Sequence, residues 1–574
     1  MIIPSKYSER FWKKNWDPGL DDLDPKLWDI SYPDAVRDAF DRFPNKIALT
    51  FQGLEISFAD VDKYSNQFAH MLIENGFEKG DIVGINLPNT PEYIYAFLGA
   101  HKAGCIVSGI SPLLSDVQMH YQLNDLASGG KKTALVTLDA IFQHRLKNIY
   151  QKLPELKIVI ATSVIGSFPK DQREKIMAVQ DIPTGEVTPL EGKIVLDFQD
   201  DVLTKYPRTL PDIKVSGDDI AFIQYTGGTT GPPKGAMLTH KNSVSDIIIN
   251  EKWVGWKKGT GVALSGFPFF HIAGLYFGQA CLYLGWTQCL IPDPRNAQHI
   301  CNEIKKYKPS TIVNVPSLYQ ILMNFRKFKR LDHSTLDLCM SGAAPFPVES
   351  QKQLESIVGE GKILEVYGMT ETSPLSAMNP YRAKRILGSV GLPLLNTTIK
   401  MVDPDTGDEV PLGKPGEICV KGPMVMKGYY NKPEETANAL DKDGFMHTGD
   451  VGIMDEEGYI RIVDRTKDMI IVGGFKVFSS KVEDILSKHP AIGIIAIIGR
   501  PNPDRPGSEI VNAYIQLDPA YEYDGNEEKL KENIINFAKE NCAPYEAPKV
   551  INIVEELPLT VVGKVDKKVL RKKK

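Results

Sequence analysis

Residues 220–235, IAFIQYTGGTTGPPKG, set a short β-branched and aromatic run directly against a loop of glycine, threonine, proline and one lysine. The run reads as a buried strand. Gly227, Gly228, Gly231 and Gly235 let backbone amides approach an anion closely, the hydroxyls of Thr226, Thr229 and Thr230 add donors, and Lys234 adds a point charge. That combination suits a polyphosphate. It is not a Walker A loop, which needs Gly before its Lys and Ser or Thr after it, whereas here Pro233 precedes Lys234 and Gly235 follows.

On both sides of this stretch, short β-branched runs alternate with amphipathic ones. KIALTF (46–51) and LEISF (54–58) flank Gln52-Gly53 as a hairpin, and Val61, Tyr64, Phe68, Met71 and Leu72 then recur at helical spacing. Residues 81–87 read as a buried strand, and Thr90-Pro91 as an N-cap and first-turn proline opening a helix toward Lys102. The alternation resumes through TQCLIP, a helix near 297–307, STIVNV, a helix near 317–325, LDLCMSG, a helix near 347–358 and ILEVYG. It predicts largely parallel sheets covered on both faces. From about 388 the pattern turns to strands without long helices, TIKMVD and GEICVKG among them, which predicts an antiparallel or barrel-like appendage. Beyond 464–468 lie a helix (481–489), strands IGIIAII and IVNAYIQL, a charged helix (527–541) and strand VINIV, enough for a small α+β domain. The stretch 164–215, rich in charge and proline, reads as a surface excursion between sheets.

At 574 residues the chain exceeds any single hydrophobic core, and roughly 150 residues per domain gives about four domain-sized units. Hydrophobic residues at 42% and charged residues at 24% are globular proportions and exclude a disordered, collagenous or coiled-coil chain. Lys and Arg total 67 against 72 Asp and Glu, a net charge of −5 that is too mild and well mixed for a generic nucleic-acid binder. The seven cysteines show no C-x-x-C spacing and fit a reducing, cytoplasmic setting. MIIPSKYSERFWKK has charges but no apolar region behind them, so no secretory signal is expected. The most apolar long stretch, 262–291, is interrupted by Pro268, His271, Gln279 and several glycines, and no transmembrane segment is expected. Peripheral contact with a membrane stays open.

Three further constellations carry chemistry. EVYGMTET (365–372) ends a strand, where α/β sheets place ligands, and offers an aromatic, a hydroxyl and a carboxylate able to stack a base, touch a phosphate and hold a hard cation through Glu371. HTGD (447–450) puts Asp450 on a glycine turn, to accept the hydroxyls of a ribose or merely to cap that turn. DRTKD (464–468) is charge-dense at the proposed boundary and taken alone reads as a solvated linker. His271 in FPFFHIAG (267–274) taken alone reads as a satisfied core histidine, and KVDKKVLRKKK (564–574) as a solvated basic tail.

In this order and at these separations, the segments resemble the adenylate-forming (ANL) superfamily of acyl-CoA synthetases, luciferases and peptide-synthetase adenylation domains, and within it fatty acyl-CoA synthetases. The resemblance covers nearly the whole chain, from KIALTF and LPNTPEY (87–93) through YTGGTTGPPKG, FPFFHIAG, SGAAP (341–345), EVYGMTET, GEICVKG (416–422), HTGD, DRTKD and GGFKV (473–477) to LPLTVVGKV (557–565). In the last motif the family often has Pro-Lys-Thr where this chain has Pro558-Leu559-Thr560, but Lys564 is in place.

The resemblance implies an α/β fold: doubly wound sheets and a barrel-like part in a large N-terminal domain (1–466), and a small mobile α+β C-terminal domain (467–574). It implies an AMP-forming acid:CoA ligase using ATP, Mg²⁺ and CoA on a small-molecule carboxylic acid, a medium- or long-chain fatty acid first. The alternatives are an aromatic or alicyclic acid, or delivery of the adenylate to a carrier protein or oxygen. A nucleotide-binding regulator without turnover would have no need of Lys564, Glu371 and Asp450 together. By the family pattern Thr226, Gly227, Gly228, Thr229, Thr230, Gly231 and Lys234 cradle the β- and γ-phosphates, Thr370 touches phosphate and Glu371 holds Mg²⁺. Tyr367 and Gly368 sit at adenine beside Gly342, Ala343 and Ala344, while Asp450 and Arg465 hold the ribose. Lys564 reaches the α-phosphate and the substrate carboxylate, Lys467 is the hinge, and Gly473 and Gly474 line a pantetheine tunnel. His271, Ala273, Gly274 and Gly278 belong to the acyl pocket, where the small residues would leave room for a long acid.

Overall fold

The computed structural model describes residues 7–178, 182–226, 232–473, 475–503, 505, 508–519, 521–559 and 565–572. An eight-stranded sheet runs from edge to edge through Gly428–Tyr429, Lys234–Thr239, Ile220–Thr226, Ile106–Gly109, Ile82–Asn86, Thr133–Leu138, Leu156–Thr162 and Ile194–Asp197. A nine-stranded sheet runs through Leu392–Pro393, Leu375–Met378, Ile363–Gly368, Leu338–Ser341, Thr311–Asn314, Val262–Ser265, Thr287–Leu290, Ile47–Phe51 and Leu54–Ser57. From Ile220–Thr226 to Ile194–Asp197 in the first sheet and from Ile363–Gly368 to Ile47–Phe51 in the second the pairings are parallel, as the strand–helix alternation requires, and the strands beyond them add antiparallel. At Gln52-Gly53 both residues take positive φ, 47° and 96°, which a two-residue hairpin turn demands.

Helix Pro91–Lys102 is buried along its whole length. Its last residue carries an ammonium into the core, where Lys102 Nζ donates to Asp62 Oδ1 at 2.6 Å, Asn66 Oδ1 at 2.7 Å and Ser65 Oγ at 2.8 Å. Burial lowers its pKa to about 8. A buried ammonium is tolerated only when every proton finds an acceptor, so these three bonds fix helix Phe58–Glu74 against helix Pro91–Lys102.

The barrel-like appendage is a four-stranded antiparallel sheet of Thr398–Val402, Pro415–Lys421, Met446–Met454 and Ile460–Arg465. After it come a two-stranded ribbon, Ile470–Val472 with Phe475–Val477, and a three-stranded sheet of Ile492–Pro501, Glu509–Leu517 and Val550–Val554. Helices Ser479–Leu486 and Glu527–Asn541 cover it, and their apolar sides form a separate core with Val477, Ile497, Ile515 and Ile551.

Two expectations are corrected. The 164–215 stretch is not only a surface excursion, because Ile194–Asp197 adds a parallel edge strand beside Leu156–Thr162, and buried Phe198 stacks on Phe68 at 5.7 Å. The basic tail is not simply solvated. Helix Lys567–Lys572 buries Leu570, Lys567 pairs with Glu483 at 2.7 Å, and Arg571 Nη2 donates to Asp468 Oδ1 at 2.6 Å. Among the described residues no helix is long and apolar enough to cross a membrane.

Candidate active site

Strand Ile220–Thr226 returns as Lys234–Thr239, so Thr226 stands opposite Lys234 across the mouth of the loop that joins them. Gly227, Gly228, Thr229, Thr230 and Gly231 lie outside the described residues. The ammonium of Lys234 pairs with Glu435 and sits 5.1 Å from the ring centre of Tyr429. The hydroxyl of Tyr429 donates in turn to Glu371 Oε1 at 2.7 Å. The backbone stitches these loops together, Met426 N–H donating to the Glu371 carbonyl at 2.8 Å and Tyr430 N–H to the Gly235 carbonyl at 2.7 Å. Glu371 is buried beside Thr370 in the single turn Thr370–Thr372, and burial raises its carboxyl pKa. A buried carboxylate with one oxygen engaged by a tyrosine hydroxyl has the donor chemistry to hold a hard cation.

The second half of the site hangs on Asp450. Its strand pairs with the last strand of the antiparallel sheet so that Asp450 faces Arg465, and Arg465 Nε lies 3.0 Å from Asp450 Oδ1. From the nine-stranded sheet the buried hydroxyl of Tyr367 donates to Asp450 Oδ2 at 2.9 Å. Burial lifts the Tyr367 phenol well above its ordinary pKa, whereas the charge of Asp450 holds the Arg465 guanidinium protonated. The charges of Asp450 and Arg465 also act on Glu371, in opposite directions and less than its burial does. Gly368 admits no side chain, since a Cβ there would stand 1.6 Å from the Pro374 carbonyl oxygen. At Gly342 a Cβ would meet Val366 Cγ2 at 2.7 Å, and Ala343 takes φ 66°, a left-handed conformation seldom kept by a residue with a side chain outside functional sites. Ala344 is half-buried beside it.

At strand ends the structure thus joins the strand pair that carries Thr226 and Lys234, a buried carboxylate and a Tyr–Asp–Arg cluster. Residues 36–430 match the family model described as AMP-binding enzyme, and residues 481–564 that of the AMP-binding enzyme C-terminal domain. The chain belongs to the AMP-binding enzyme family. It is 35% identical over 540 residues to a long-chain-fatty-acid–CoA ligase of Bacillus subtilis (strain 168), covering 92% of each chain. A long-chain-fatty-acid–CoA ligase of Escherichia coli O6:H1 is 32% identical over 556 residues, 94% of each chain. Among solved structures, the anthranilate CoA ligase AuaEII in complex with anthranoyl-AMP superposes with a TM-score of 0.82 at 25% identity, over 96% of this chain and 98% of that one.

In this AMP-binding enzyme the FPFFHIAG segment is held from the LPNTPEY segment. Asn89 Nδ2 donates to the Phe267 carbonyl at 2.9 Å, Asn89 Oδ1 accepts from Phe269 N–H at 2.8 Å, and the Tyr93 hydroxyl donates to the Phe269 carbonyl at 2.9 Å. His271 is neither a core histidine nor buried: it is the N-cap of helix Ile272–Leu284, its Nδ1 accepting from Ala273 N–H at 3.3 Å. The room expected beside two small residues is filled. At Gly274 a Cβ would stand 2.3 Å from the Pro268 carbonyl oxygen, and at Gly278 it would meet Phe269 Cε1 at 3.1 Å. These glycines let the helix approach the 267–269 backbone and ring, while Ala273 stays half-exposed.

Lys467 lies in the turn where the carbonyl of Arg465 accepts from the N–H groups of Asp468 and Met469, and burial lowers its pKa. Gly473 is exposed at φ 59°, its N–H donating to Ser508 Oγ at 2.9 Å. Gly474 and Lys564 lie outside the described residues. Tyr429 and Glu435 in the site, and Glu417 behind it, carry no role in the sequence reading. Glu417 accepts from Gly449 N–H at 2.9 Å and so fixes the turn that aims Asp450. Its signal is GEICVKG, a motif legible as family pattern, whose chemistry depends on a turn about thirty residues further along the chain.

Proposed function

We propose that this chain is an AMP-forming acid:CoA ligase whose acid is a fatty acid of medium or long chain. A substrate carboxylate oxygen attacks the α-phosphorus of ATP as the bond to the β-phosphate breaks, giving acyl-AMP and pyrophosphate. The CoA thiolate then attacks the acyl carbonyl and AMP leaves. Attack of one anion on another needs positive charge and donors where charge develops. The observation that carries the reading is the joint placement of Lys234, Glu371 and the Tyr367–Asp450–Arg465 cluster at neighbouring strand ends.

In this reading the loop from Thr226 to Lys234 takes the β- and γ-phosphates, with Thr370 beside them. Glu371 would hold Mg²⁺, which neutralises phosphate charge when bound. Tyr367 lies at adenine with Gly342, Ala343, Ala344 and Gly368, and Asp450 and Arg465 hold the ribose. Lys564 serves the α-phosphate and the acid during adenylation. Residues 1–466 form the large domain and 467–574 the small one, a division supported by the separate core of the small unit. Lys467 is the hinge about which Lys564 and the Gly473–Gly474 tunnel exchange. His271 and Ala273 border the acid.

The names of the two ligases above support a long-chain acid. The anthranoyl-AMP complex supports a second reading, an aromatic acid on the same chemistry. CoA consumption across acids from acetate through long linear chains to benzoate decides between them. A buried methylene is worth about 0.8 kcal/mol, so efficiency should climb about fourfold per methylene until the pocket is full. Equal efficiency on acetate would sink the fatty-acid reading, and turnover confined to benzoate-like acids would establish the second.

A further inference from the structure

Outside the nucleotide site, the antiparallel sheet gathers a thiol, an imidazole and a carboxylate at one point. Cys419 and His447 are directly opposed on strands Pro415–Lys421 and Met446–Met454, and an irregularity in the register between Glu417 and Cys419 brings the side chain of Glu417 to the same place. His447 Nδ1 lies 3.0 Å from Glu417 Oε2 and 3.5 Å from Cys419 Sγ, and one ligand atom from each residue falls within 4.8 Å of the others. We propose that Glu417, Cys419 and His447 form a binding site for a thiophilic divalent cation of the zinc class.

The sulfur–nitrogen separation of 3.5 Å is that of a tetrahedral ion, and the oxygen–nitrogen separation of 3.0 Å, now a hydrogen bond, would have to widen slightly to admit one. With Zn–S near 2.3 Å and Zn–N and Zn–O near 2.0–2.1 Å, tetrahedral angles set sulfur about 3.5 Å and oxygen about 3.3 Å from the nitrogen. Cross-strand opposition brings the thiol to the ring and one hydrogen bond accounts for the Glu417–His447 contact; an ion would give all three groups a single shared centre. The other nitrogen, Nε2, lies 3.9 Å from Asp441 Oδ2, too far for a hydrogen bond but near enough for that carboxylate to orient the imidazole after a small shift. Lys400 Nζ, 3.7 Å from the same Asp441 oxygen, balances that outer charge, leaving the ion to be neutralised by Glu417 and the thiolate.

Glu417 serves both the ion and the protein fold. Its Oε1 accepts from Gly449 N–H, which leaves Oε2 for the ion. Cys419 is buried, whereas the His447 side chain keeps 29% and Glu417 13% of its exposure, so an ion can enter from solvent and a water can complete the fourth position. Thiolate with imidazole selects zinc-class ions over magnesium or calcium, so this site does not compete with Glu371 for a hard cation. A bound ion would brace the turn that carries Asp450.

Cobalt(II) alone tests the site on the full-length protein freed of nucleotide and magnesium. A cobalt–thiolate charge-transfer band should grow to one equivalent, be displaced by zinc, and be accompanied by a zinc-dependent rise in thermal midpoint. Cys419→Ser should abolish the band and the rise. Should that variant fold poorly, Glu417→Gln keeps an oxygen for Gly449 and should weaken cobalt binding at least about 10-fold, the loss expected for disturbing a metal's immediate surroundings. Cys542→Ser, at the partly exposed cysteine, should leave the band unchanged. Absence of the band in the parent protein, its survival in Cys419→Ser, unaltered affinity in Glu417→Gln, or its loss in Cys542→Ser overturns the proposal.

Discussion

The hydroxyl of Tyr367 donates to Asp450 Oδ2 at 2.9 Å, joining a strand end of the nine-stranded sheet to the turn of the antiparallel sheet. Both groups are buried, and a bond to a charged acceptor is worth about 1.5–3 kcal/mol. Tyr367→Phe keeps the ring for stacking and leaves Asp450 to Arg465 alone. The KM for ATP should rise about tenfold, one tenfold step being 1.36 kcal/mol, with kcat within a few fold. An unchanged KM would mean that Arg465 alone aims the carboxylate.

Glu371 tests the cation. Glu371→Gln retains an acceptor for the Tyr429 hydroxyl and removes the charge. The Mg²⁺ concentration giving half-maximal pyrophosphate release should rise at least about 10-fold, with loss of rate on the ~10²-fold scale of a deleted charge-stabilising group. A rate loss with an unaltered Mg²⁺ requirement would assign Glu371 to packing.

Glu365 gives a dependence of stability on pH. Its carboxylate ends in the core, accepting from Gln351 Nε2 at 2.8 Å, and burial, with the nearby charge of Asp484 adding to it, raises its pKa from 4.5 to about 7. The folded state therefore holds this proton more tightly than the unfolded chain. The stabilisation is complete below about pH 4.5 and is lost as pH rises through about 7, a loss on the order of 3 kcal/mol. Glu365→Gln should flatten the thermal midpoint between those limits relative to the parent, whose midpoint carries this fall on top of all other titrations. An identical slope in both proteins would place the titration elsewhere.

Much of this arrangement is legible in the sequence because period and turn chemistry are local. Gln52-Gly53, Thr90-Pro91 and the parallel alternation follow from the backbone preferences of a few adjacent residues. The partners of Lys234 and Glu371 do not, since Glu435 lies about two hundred residues from Lys234 on helix Pro433–Ala439, and Tyr429 lies about sixty from Glu371 on an edge strand of two residues, too short to show a period. The tail misleads for a related reason. Its charges read as solvated until Glu483 and Asp468 are placed opposite Lys567 and Arg571. Asn89 is silent in the sequence because its role, holding the 267–269 backbone, depends on a neighbour far along the chain.

The glycines of helix Ile272–Leu284 separate room for substrate from close packing. If Gly274 made space for an acid, Gly274→Ala would shorten the preferred chain. The Pro268 carbonyl oxygen instead stands 2.3 Å from the new Cβ, and that atom belongs to backbone held by Asn89. The expected outcome is a lower thermal midpoint, with overpacking costing about 1–3 kcal/mol, and an unchanged ranking of acids by kcat/KM. A shifted ranking at unchanged stability would return Gly274 to the acyl pocket.

Lys467 tests whether the small domain turns. The chain crosses once from the antiparallel sheet to the separate core of the small unit, and Lys467 sits in the turn where it does so. Two reactions with different nucleophiles require different groups at one centre, and a single crossing absorbs the necessary change in φ and ψ. Among the described residues, the Lys467 N–H makes no backbone hydrogen bond, so proline there removes no such bond. It does lock φ near −65°, and Lys467→Pro should therefore hold one arrangement of the domains. The adenylation pose is the one expected to survive. Acyl-AMP formation, read by pyrophosphate release, should stay within a few fold, while thioester formation from supplied acyl-AMP should fall at least about 10²-fold, as for a hinge whose second state is closed off. Lys564→Ala should give the mirror image, losing adenylation by ~10²-fold and keeping thioester formation, if its charge serves adenylation alone as proposed. A side chain with a merely structural role would depress both half reactions together in either variant. Unchanged rates in Lys467→Pro would leave Lys467 as a linker charge and place any hinge on another residue of the turn.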